Sequence, residues 1–131
     1  MGCKIISIDR KGIKVRNDDE QEEIIAVDRI IKTMHPTSVI GVEDMIKLGD
    51  LQEYAILKNL HMRYSKNFVY TYTGSMLVAV NPYRILNIYT PKEVAIYRGK
   101  KIGEAPPHIF AIGDNCFAEM KRSGVDQCIV I

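Results

Sequence analysis

A short polar turn after an apolar run is the part of this sequence best suited to bind a ligand. The run MLVAV occupies residues 76–80, and Asn81 and Pro82 follow it directly. Asn81 can donate and accept hydrogen bonds, and Pro82 presents a rigid apolar ring. In α/β proteins, ligands collect outside the carboxyl ends of buried strands, which is the position of this turn. From the residues alone, Asn-Pro-Tyr after a strand still indicates a simple turn more often than a ligand site.

The histidines and cysteines do not form the pattern of a metal site. The chain has three of each, the histidines lie far apart, and no C-x-x-C pair occurs. An odd number of scattered thiols is typical of a reducing compartment and not of a disulfide scaffold. His108, directly after Pro107, is interpreted as the start of a helix and not as a catalytic base. The residues concerned are His35, His61, His108, Cys3, Cys116 and Cys128.

The sequence contains no phosphate-binding loop. The GxxxxGK[ST] motif, whose backbone amides hold phosphates, does not occur. The Gly-Lys pair at Gly99 and Lys100 lacks the earlier glycine of that motif and is followed by Lys101. This argues against a small, self-contained α/β nucleotide-binding enzyme. No residue of the chain is predicted to be catalytic.

The composition is that of a folded chain without a strongly charged face. Of its 131 residues, 47% are hydrophobic, which argues against disorder. Lys and Arg number 18 against 16 Asp and Glu, a formal net charge of +2 that does not indicate a nucleic-acid partner. No apolar run reaches the length of a transmembrane helix, and no signal-peptide core is present, so membrane insertion is not expected. These features favour a cytoplasmic location.

The beginning of the chain predicts a β-meander of three short strands. Residues 3–8 form the first strand, residues 13–16 alternate apolar with charged side chains, and residues 23–27 form the third strand. Acidic residues between the last two strands indicate a solvated hairpin tip. Three strands of this length bury too little surface to be stable alone, so neighbouring elements are expected.

Two helices are predicted in the middle of the chain. Residues 42–48 form a short helix that Gly49 ends. Asp50 and Glu53 then form a capping box for a longer helix, in which Asp50 accepts from the backbone and Glu53 reaches back. The buried face of that helix carries apolar and aromatic residues three and four positions apart. They are Leu51, Tyr54, Leu57, Leu60 and Tyr64.

Two further helices have clear start and stop signals. Thr90 caps the first of them, with Pro91 in its first turn and Glu93 as the third helical residue. The second begins at Pro107, and Gly124 ends it. Its inward face is predicted to carry Ile109, Phe110, Cys116, Phe117 and Met120.

Two apolar runs predict core strands. Residues 76–80 are apolar throughout, which suits a strand covered on both faces. Residues 128–131, CIVI, are also all apolar, yet the last of them carries the terminal carboxylate. Because an unpaired charge is costly to bury, this terminus is expected to be a cut and the chain a fragment.

Three longer blocks of sequence resemble the front of a myosin motor domain. They are MHPTSVIGVEDMIKLGDLQE at 34–53, YTYTGSMLVAVNPY at 70–83 and KKIGEAPPHIFAIGDNC at 100–116. Their order and spacing agree with the family, and they are most similar to class VII unconventional myosins. For residues 31–131 the resemblance implies an α/β fold, an incomplete P-loop NTPase-type head with part of the transducer sheet plus helices. Residues 1–30 resemble a partial SH3-like β-meander that precedes it.

The resemblance also implies a nucleotide site in this part of the chain. The purine pocket of the family corresponds to Asn81, Pro82 and Tyr89, with Tyr83 and Arg84 beside it. By this comparison Pro82 is a wall for the flat base, and the Tyr89 hydroxyl bonds the exocyclic amine. Asn81 would lie toward the ribose and phosphates. The cofactor implied for the complete motor is ATP with Mg²⁺.

A complete head of this family is an actin-based motor ATPase associated with the cytoskeleton. The resemblance therefore implies actin filaments as the partner, bound through parts of the head outside these residues. A Gly-rich phosphate loop is expected to follow residues 128–131, so the chain alone is expected neither to hydrolyse ATP nor to bind it tightly. The alternative is a truncated, non-catalytic piece that acts in binding or interaction. A reading frame that continues past Ile131 would favour the motor.

Overall fold

The computed structural model describes residues 2–29 and 32–131. The chain divides into two compact units, Met1–Met34 and His35–Ile131. The first unit is a small sheet, and the second combines helices with a β-hairpin. Among the described residues, no helix has both the length and the apolar character needed to cross a membrane.

The first unit is a three-stranded antiparallel sheet. Its strands are β1 (Cys3–Asp9), β2 (Gly12–Asn17) and β3 (Glu22–Ile25), in the order β1-β2-β3. Asp9 closes the first turn, because its Oδ1 accepts from the amide of Lys11 at 2.7 Å. Val15 is buried, whereas every residue of β1 is exposed. The three predicted strands are confirmed, and closure into an SH3-like barrel stays a prediction.

Charged side chains connect β2 to β3 across the ladder. The carboxylate of Glu22 lies 2.7 Å from Nζ of Lys14 and 2.8 Å from Nη2 of Arg16, the residue it pairs with in register. The hydrogen bonds from Arg16 and then Lys14 lower the pKa of Glu22 to about 2. Because these side chains are exposed to solvent, they favour the register of the strands more than they stabilise the sheet.

The second unit contains α-helices, a 3-10 turn and a β-hairpin. Its helices are α1 (Pro36–Ile40), α2 (Glu53–Tyr64), α3 (Pro91–Tyr97) and α4 (Ile109–Ser123). The hairpin pairs β4 (Tyr70–Thr73) with β5 (Met76–Ala79) in antiparallel register. The 3-10 turn is Met45–Lys47.

The segment at 42–44 is not helical although the sequence predicts a helix over 42–48, and within that range only the 3-10 turn at Met45–Lys47 is helical. Asn59 of α2 holds this segment, because its Oδ1 accepts from the Val42 amide at 2.7 Å and its Nδ2 donates to the Val42 carbonyl at 3.1 Å. Asp44 forms a bridge to β4, and its side chain caps the 3-10 turn. The helix prediction is wrong for this segment because its backbone groups pair with Asn59 and β4 instead.

Helix α2 differs from its prediction in its cap and in its buried face. Its N-cap residue makes no side-chain cap bond. Asp50 accepts instead from the hydroxyl of Ser38, so the predicted capping box is wrong. Asn59 is completely buried, whereas Leu57, predicted to face inward, is 68% exposed. Of the predicted face, Tyr54, Leu60 and Tyr64 are half-buried, and the prediction is wrong for Leu51 and Leu57, which are exposed. The buried position falls at Asn59 because its side-chain amide pairs with the Val42 backbone.

The two apolar runs are less buried than predicted. Met76 of β5 is 64% exposed, and the sheet that the described residues of this unit form contains β4 and β5 alone. Residues 128–131 form no strand and are exposed. Burial on both faces of residues 76–80 is therefore wrong for this chain, because a covered strand needs sheet neighbours and a second layer that the described residues do not supply.

The caps of α3 and α4 agree closely with the sequence. Oγ1 of Thr90 accepts from the amide of Glu93 at 3.3 Å, which confirms the predicted N-cap of α3. Helix α4 begins at Ile109, two residues later than predicted, because His108 is its N-cap. Gly124 ends α4 as predicted, with a φ of 69° in the left-handed region.

The inward face of α4 is narrower than its apolar residues suggest. Ala111 is buried and joins Tyr72 of β4 and Tyr97 of α3 in a small core. Phe110 packs against this core, as predicted. Phe117, in the second half of α4, is 55% exposed, so the predicted inward face is wrong for that half. Among the described residues, the rest of the second unit packs only against the first turns of α4 and leaves its second half exposed.

Candidate functional site

The β-hairpin leads into the turn that the sequence indicates as a ligand site. Tyr70, the first residue of β4, pairs with Ala79, the last residue of β5. The amide of Val80 donates to the carbonyl of Val69 at 2.9 Å and extends this pairing by one bond. Asn81 therefore leaves the hairpin beside the residue where β4 begins.

Asn81 determines the shape of the turn. Its Oδ1 accepts from the amide of Tyr83 at 2.8 Å, which is the bond of an Asx turn. Tyr83 has a φ of 51°, in the left-handed region that few residues other than glycine adopt, and its side chain is 90% exposed. The turn uses the side-chain oxygen of Asn81 and leaves its NH₂ group to donate to a ligand.

Pro82 and Arg84 connect the turn to the end of α2. Pro82 is half-buried, and its carbonyl oxygen lies 3.4 Å from the hydroxyl of Tyr64. Nη2 of Arg84 donates to the side-chain oxygen of Asn67, which follows α2. The structure therefore directs the Arg84 guanidinium toward the end of α2.

The side chain of Tyr89 contacts Tyr70, the first residue of the hairpin. Its hydroxyl oxygen lies 2.8 Å from the hydroxyl oxygen of Tyr70, and either hydroxyl can be the donor. The side chain of Tyr89 is 54% exposed, so one side of it is open to a ligand. Tyr70 begins β4, and the Asn81-Pro82 turn follows the strand that pairs with Tyr70, so the Tyr89 hydroxyl contacts the end of the hairpin from which this turn leaves.

Arg63 of α2 supports the residue that holds Tyr89. Its Nη2 donates to the carbonyl of Tyr70 at 3.0 Å, and its Nε donates to the hydroxyl of Thr71 at 2.9 Å. The guanidinium carbon also lies 5.2 Å from the ring centroid of Phe68. Sequence reasoning missed this contact, because a bond from a helix side chain to a strand carbonyl leaves no periodic pattern in the sequence.

His108 lies at the centre of an aromatic cluster beside Tyr89. The His108 side chain is buried, and its ring centroid is 5.6 Å from that of Tyr89 and 5.1 Å from that of Tyr70. Tyr97 stacks on the imidazole at 5.0 Å, and Phe110 lies at 4.6 Å. The interpretation of His108 as a helix start is confirmed, but the cluster was missed because its members come from separate elements.

The environment of His108 favours a neutral imidazole. Burial is the main cause that lowers its pKa, while the backbone of Ile88 and the charge of Glu93 oppose the shift. Nδ1 accepts from the amide of Phe110 at 3.1 Å, so the proton of the neutral ring is on Nε2. Among the described residues Nε2 has no well-formed hydrogen bond, which makes its contact with the Ile88 backbone a loose one.

These side chains provide groups for binding rather than for bond cleavage. Pro82 contributes an apolar ring, Tyr89 an aromatic hydroxyl and Asn81 an amide, a set that suits a flat ligand with hydrogen-bonding edges. Within residues 2–29 and 32–131, no group of three or more His, Cys, Asp or Glu side chains is placed to hold a metal ion.

Comparison with known proteins identifies the class to which this fold and turn belong. Residues 42–131 match the family model of the myosin head, the motor domain. The whole chain is 59% identical over 131 residues to Myosin-VIIa of Drosophila melanogaster. It is 49% identical over 131 residues to Unconventional myosin heavy chain 6 of Caenorhabditis elegans, again over 100% of this chain. The chain belongs to the myosin head family.

The resemblance to class VII myosins is confirmed by these relatives. Unconventional myosin-VIIb of Mus musculus is 46% identical over 130 residues, which cover 97% of this chain. The chain spans 6% of the length of each of these three relatives.

Proposed function

We propose that this chain forms the purine-binding end of the nucleotide site in an actin-based motor ATPase head. The observation that carries the proposal is the Tyr89 hydroxyl, half-exposed and held by Tyr70 at the end of the hairpin from which Asn81 and Pro82 emerge. Membership of the myosin head family supports ATP, with Mg²⁺, as the nucleotide of the complete head.

Each of the three residues has a distinct task in binding the base. The Pro82 ring offers a rigid apolar surface on which a flat purine packs. The Tyr89 oxygen accepts a hydrogen bond from the exocyclic amine of adenine. The Asn81 NH₂ group, free of the Asx turn, donates toward the ribose and phosphate side. Tyr83 and Arg84 flank this site, and Arg84 does so from its bond to Asn67.

Phosphoryl transfer in this proposal belongs to other parts of the head. It requires a phosphate-cradling loop, a lysine, Mg²⁺ and a residue that positions water, and this chain has no GxxxxGK[ST] motif. The hairpin and helices would belong to the P-loop NTPase-type transducer sheet, and the three-stranded unit to a small SH3-like barrel. Actin filaments would bind to other parts of the head. The motor would work in the cytoplasm, at the cytoskeleton. Neither nucleic-acid binding nor membrane insertion is part of the proposal.

The test is Tyr89→Phe in the complete head, with two nucleotides. ATP carries the exocyclic amine, and purine riboside triphosphate lacks it. Removal of the hydroxyl should weaken ATP binding by about 0.5–1.5 kcal/mol and leave binding of the analogue unchanged. Because the base is remote from the transferred phosphate, kcat should change little while KM for ATP rises.

Tyr54→Phe is the matched control. Tyr54 lies in the first turn of α2, whereas Tyr64, which contacts Pro82, lies at the opposite end of the helix. The substitution removes the Tyr54 hydroxyl, which bonds Asp50. It should leave the affinities for both nucleotides unchanged. An unchanged KM with a collapsed kcat in Tyr89→Phe would contradict a role for Tyr89 in base binding.

A further inference from the structure

His108 combines two structural tasks in a single side chain. As the N-cap of α4, it has an extended backbone with φ −159° and ψ 151°, and its Nδ1 accepts from the amide of Phe110 at 3.1 Å. His108 as a whole is 5% exposed, and its ring is surrounded by other rings. Those rings belong to Tyr70, Tyr89, Tyr97 and Phe110.

The cap bond fixes the orientation of the imidazole. A cap made by Ser, Thr, Asp or Asn would satisfy the same amide, but none of these residues carries a ring. With the Nδ1 edge bound to α4, the ring stacks on Tyr97 with an interplanar angle of 23° and meets Tyr70 edge-on at 66°. The imidazole thereby packs against both tyrosines whose hydroxyls bond to each other.

The hydroxyl pair depends on the positions of both tyrosine rings. Tyr70 is fixed through its carbonyl by Arg63. Tyr89 lies in the connection between β5 and α3, is half-exposed, and has ring contacts with His108 at 5.6 Å and Phe110 at 6.2 Å. The His108 ring therefore supports the side of Tyr89 that a ligand does not occupy.

We propose that His108 is a positioning residue for adenine recognition: its ring holds Tyr89 against Tyr70 and keeps the Tyr89 oxygen directed at the base. The inference rests on the proposed function of Tyr89. His108 itself does not touch the nucleotide. Its loss should lower the selectivity for the exocyclic amine, and not nucleotide binding in general.

The experiment separates the two tasks of His108 in the complete head. His108→Asn keeps a capping side chain and removes the ring, and His108→Phe keeps a ring and removes the cap. For each variant the dissociation constants of ATP and of purine riboside triphosphate are measured, and their ratio gives the selectivity for the amine. Thermal unfolding of each variant reports stability separately.

We expect His108→Asn to lose selectivity, with ATP affinity falling about 2- to 10-fold and analogue affinity unchanged. His108→Phe should keep the selectivity of the wild type while its melting temperature falls, because the cap of α4 is lost. Equal loss of selectivity in both variants would assign the effect to general damage and overturn the proposal. Wild-type selectivity in His108→Asn would overturn it as well.

Two further arms complete the design. His108→Ser, a smaller capping residue, repeats the test if His108→Asn does not fold; failure of both to fold would mean that the ring serves folding alone, which also contradicts the proposal. Tyr89→Phe measured in parallel separates the two hypotheses. If Tyr89→Phe has wild-type selectivity, the proposed role of Tyr89 fails. If it loses selectivity and His108→Asn does not, only the role of His108 fails.

Discussion

The hydroxyl oxygen of Tyr89 lies 2.8 Å from the hydroxyl oxygen of Tyr70, across the end of the β4–β5 hairpin. Burial, and then the bond to Tyr89, raises the pKa of Tyr70, so this hydroxyl stays protonated at neutral pH. In such a pair one hydroxyl donates and the other accepts. When Tyr89 donates to Tyr70, the lone pairs of its oxygen remain to accept from a ligand amine, which is the polarity that adenine requires.

The first prediction follows from the proposed contact between Tyr89 and adenine: Tyr70→Phe should lower ATP affinity, although the proposal gives Tyr70 no contact with the base. Without its partner, the Tyr89 hydroxyl can turn its proton toward the ligand, where it opposes an amine donor. We expect a loss of about 0.5–1.5 kcal/mol in ATP binding and little change in binding of purine riboside triphosphate. Equilibrium titration of the complete head with both nucleotides measures this difference.

Tyr72→Phe on the same strand is the control for that measurement. The Tyr72 hydroxyl is buried, and among the described residues it has only a loose contact with the His108 backbone and no well-formed hydrogen bond. Its removal should leave nucleotide affinity unchanged and should change the melting temperature little, because a buried hydroxyl without a well-formed hydrogen bond contributes little to stability. Unchanged ATP affinity in Tyr70→Phe would show that Tyr89 needs no partner to recognise the base.

Signals that depend on a few neighbouring residues predicted most local features of the fold, although the capping box at Asp50 and Glu53 failed because Asp50 bonds Ser38 instead. The Thr90 cap, the Gly124 stop and the three strands of the first unit each depend on residues close together in the chain, and all are found. The Asn81-Pro82 turn after β5 belongs to the same group. In each case hydrogen bonds over a few residues, or a left-handed glycine, decide the conformation.

Contacts between residues far apart in the chain could not be predicted from sequence patterns. Asn59 is buried because it pairs with the Val42 backbone 17 residues away, a contact that helical periodicity cannot indicate. The apolar spacing of α2 instead favoured Leu57, which is exposed. The cluster around His108 likewise joins β4, α3, α4 and the β5–α3 connection. The family resemblance predicted a role for Tyr89 in the purine pocket, whereas its contact with Tyr70 is visible only in the structure.

The second prediction concerns Asn59 and the segment at 42–44 that it holds. Asn59→Leu preserves the approximate size of the side chain but leaves both the amide and the carbonyl of Val42 without their partner. Since each unpaired group costs about 1–3 kcal/mol when buried and Val42 is half-buried, we expect the free energy of unfolding to fall by about 2–4 kcal/mol. Urea unfolding of the protein measures this loss.

Asn87→Leu is the matched control for this substitution. Asn87 is exposed in the connection before α3, so the same chemical change should alter stability by less than about 0.5 kcal/mol. Equal effects of the two substitutions would mean that the pairing between Asn59 and Val42 does not stabilise the protein.

The third prediction is a loss of stability on mild acidification that depends on His108. Burial lowers the pKa of His108 in the folded state below the ordinary histidine value of 6.5, so the unfolded chain takes up a proton first as pH falls. The contribution of neutral His108 to the free energy of unfolding is therefore complete above pH 6.5. Below that pH the free energy of unfolding declines by at most about 1.4 kcal/mol per pH unit for one proton. Glu93 opposes this decline through its charge.

Thermal unfolding between pH 7.5 and 5.5 tests this coupling. His108→Phe removes the titrating group and retains a ring in the cluster, so its melting temperature should depend less on pH than that of the wild type. His61→Phe, which changes an exposed histidine of α2, should keep the wild-type dependence. Identical pH profiles for the wild type and His108→Phe would rule out His108 as the source.

The fourth prediction contrasts two glycines of the second unit. A Cβ added at Gly49 would overlap the ring of His35 and the hydroxyl of Thr37. At Gly113, apart from its chain neighbours and the backbone of its own helix, no described atom lies within 4 Å of an added Cβ. Gly49→Ala should therefore displace His35, which caps α1 by accepting from the Thr37 amide at 3.3 Å. We expect a destabilisation of about 0.5–2 kcal/mol, the usual value of a lost cap.

Gly113→Ala should instead stabilise the protein by about 0.5–1 kcal/mol, because alanine favours the interior of a helix over glycine and meets no obstruction in α4. A double-mutant cycle tests the assigned cause for Gly49. If Gly49→Ala acts by displacing His35, adding His35→Ala should cost little more, so the two destabilisations should not sum. Additive losses in urea unfolding would show that the two residues act independently and that the overlap is relieved in another way.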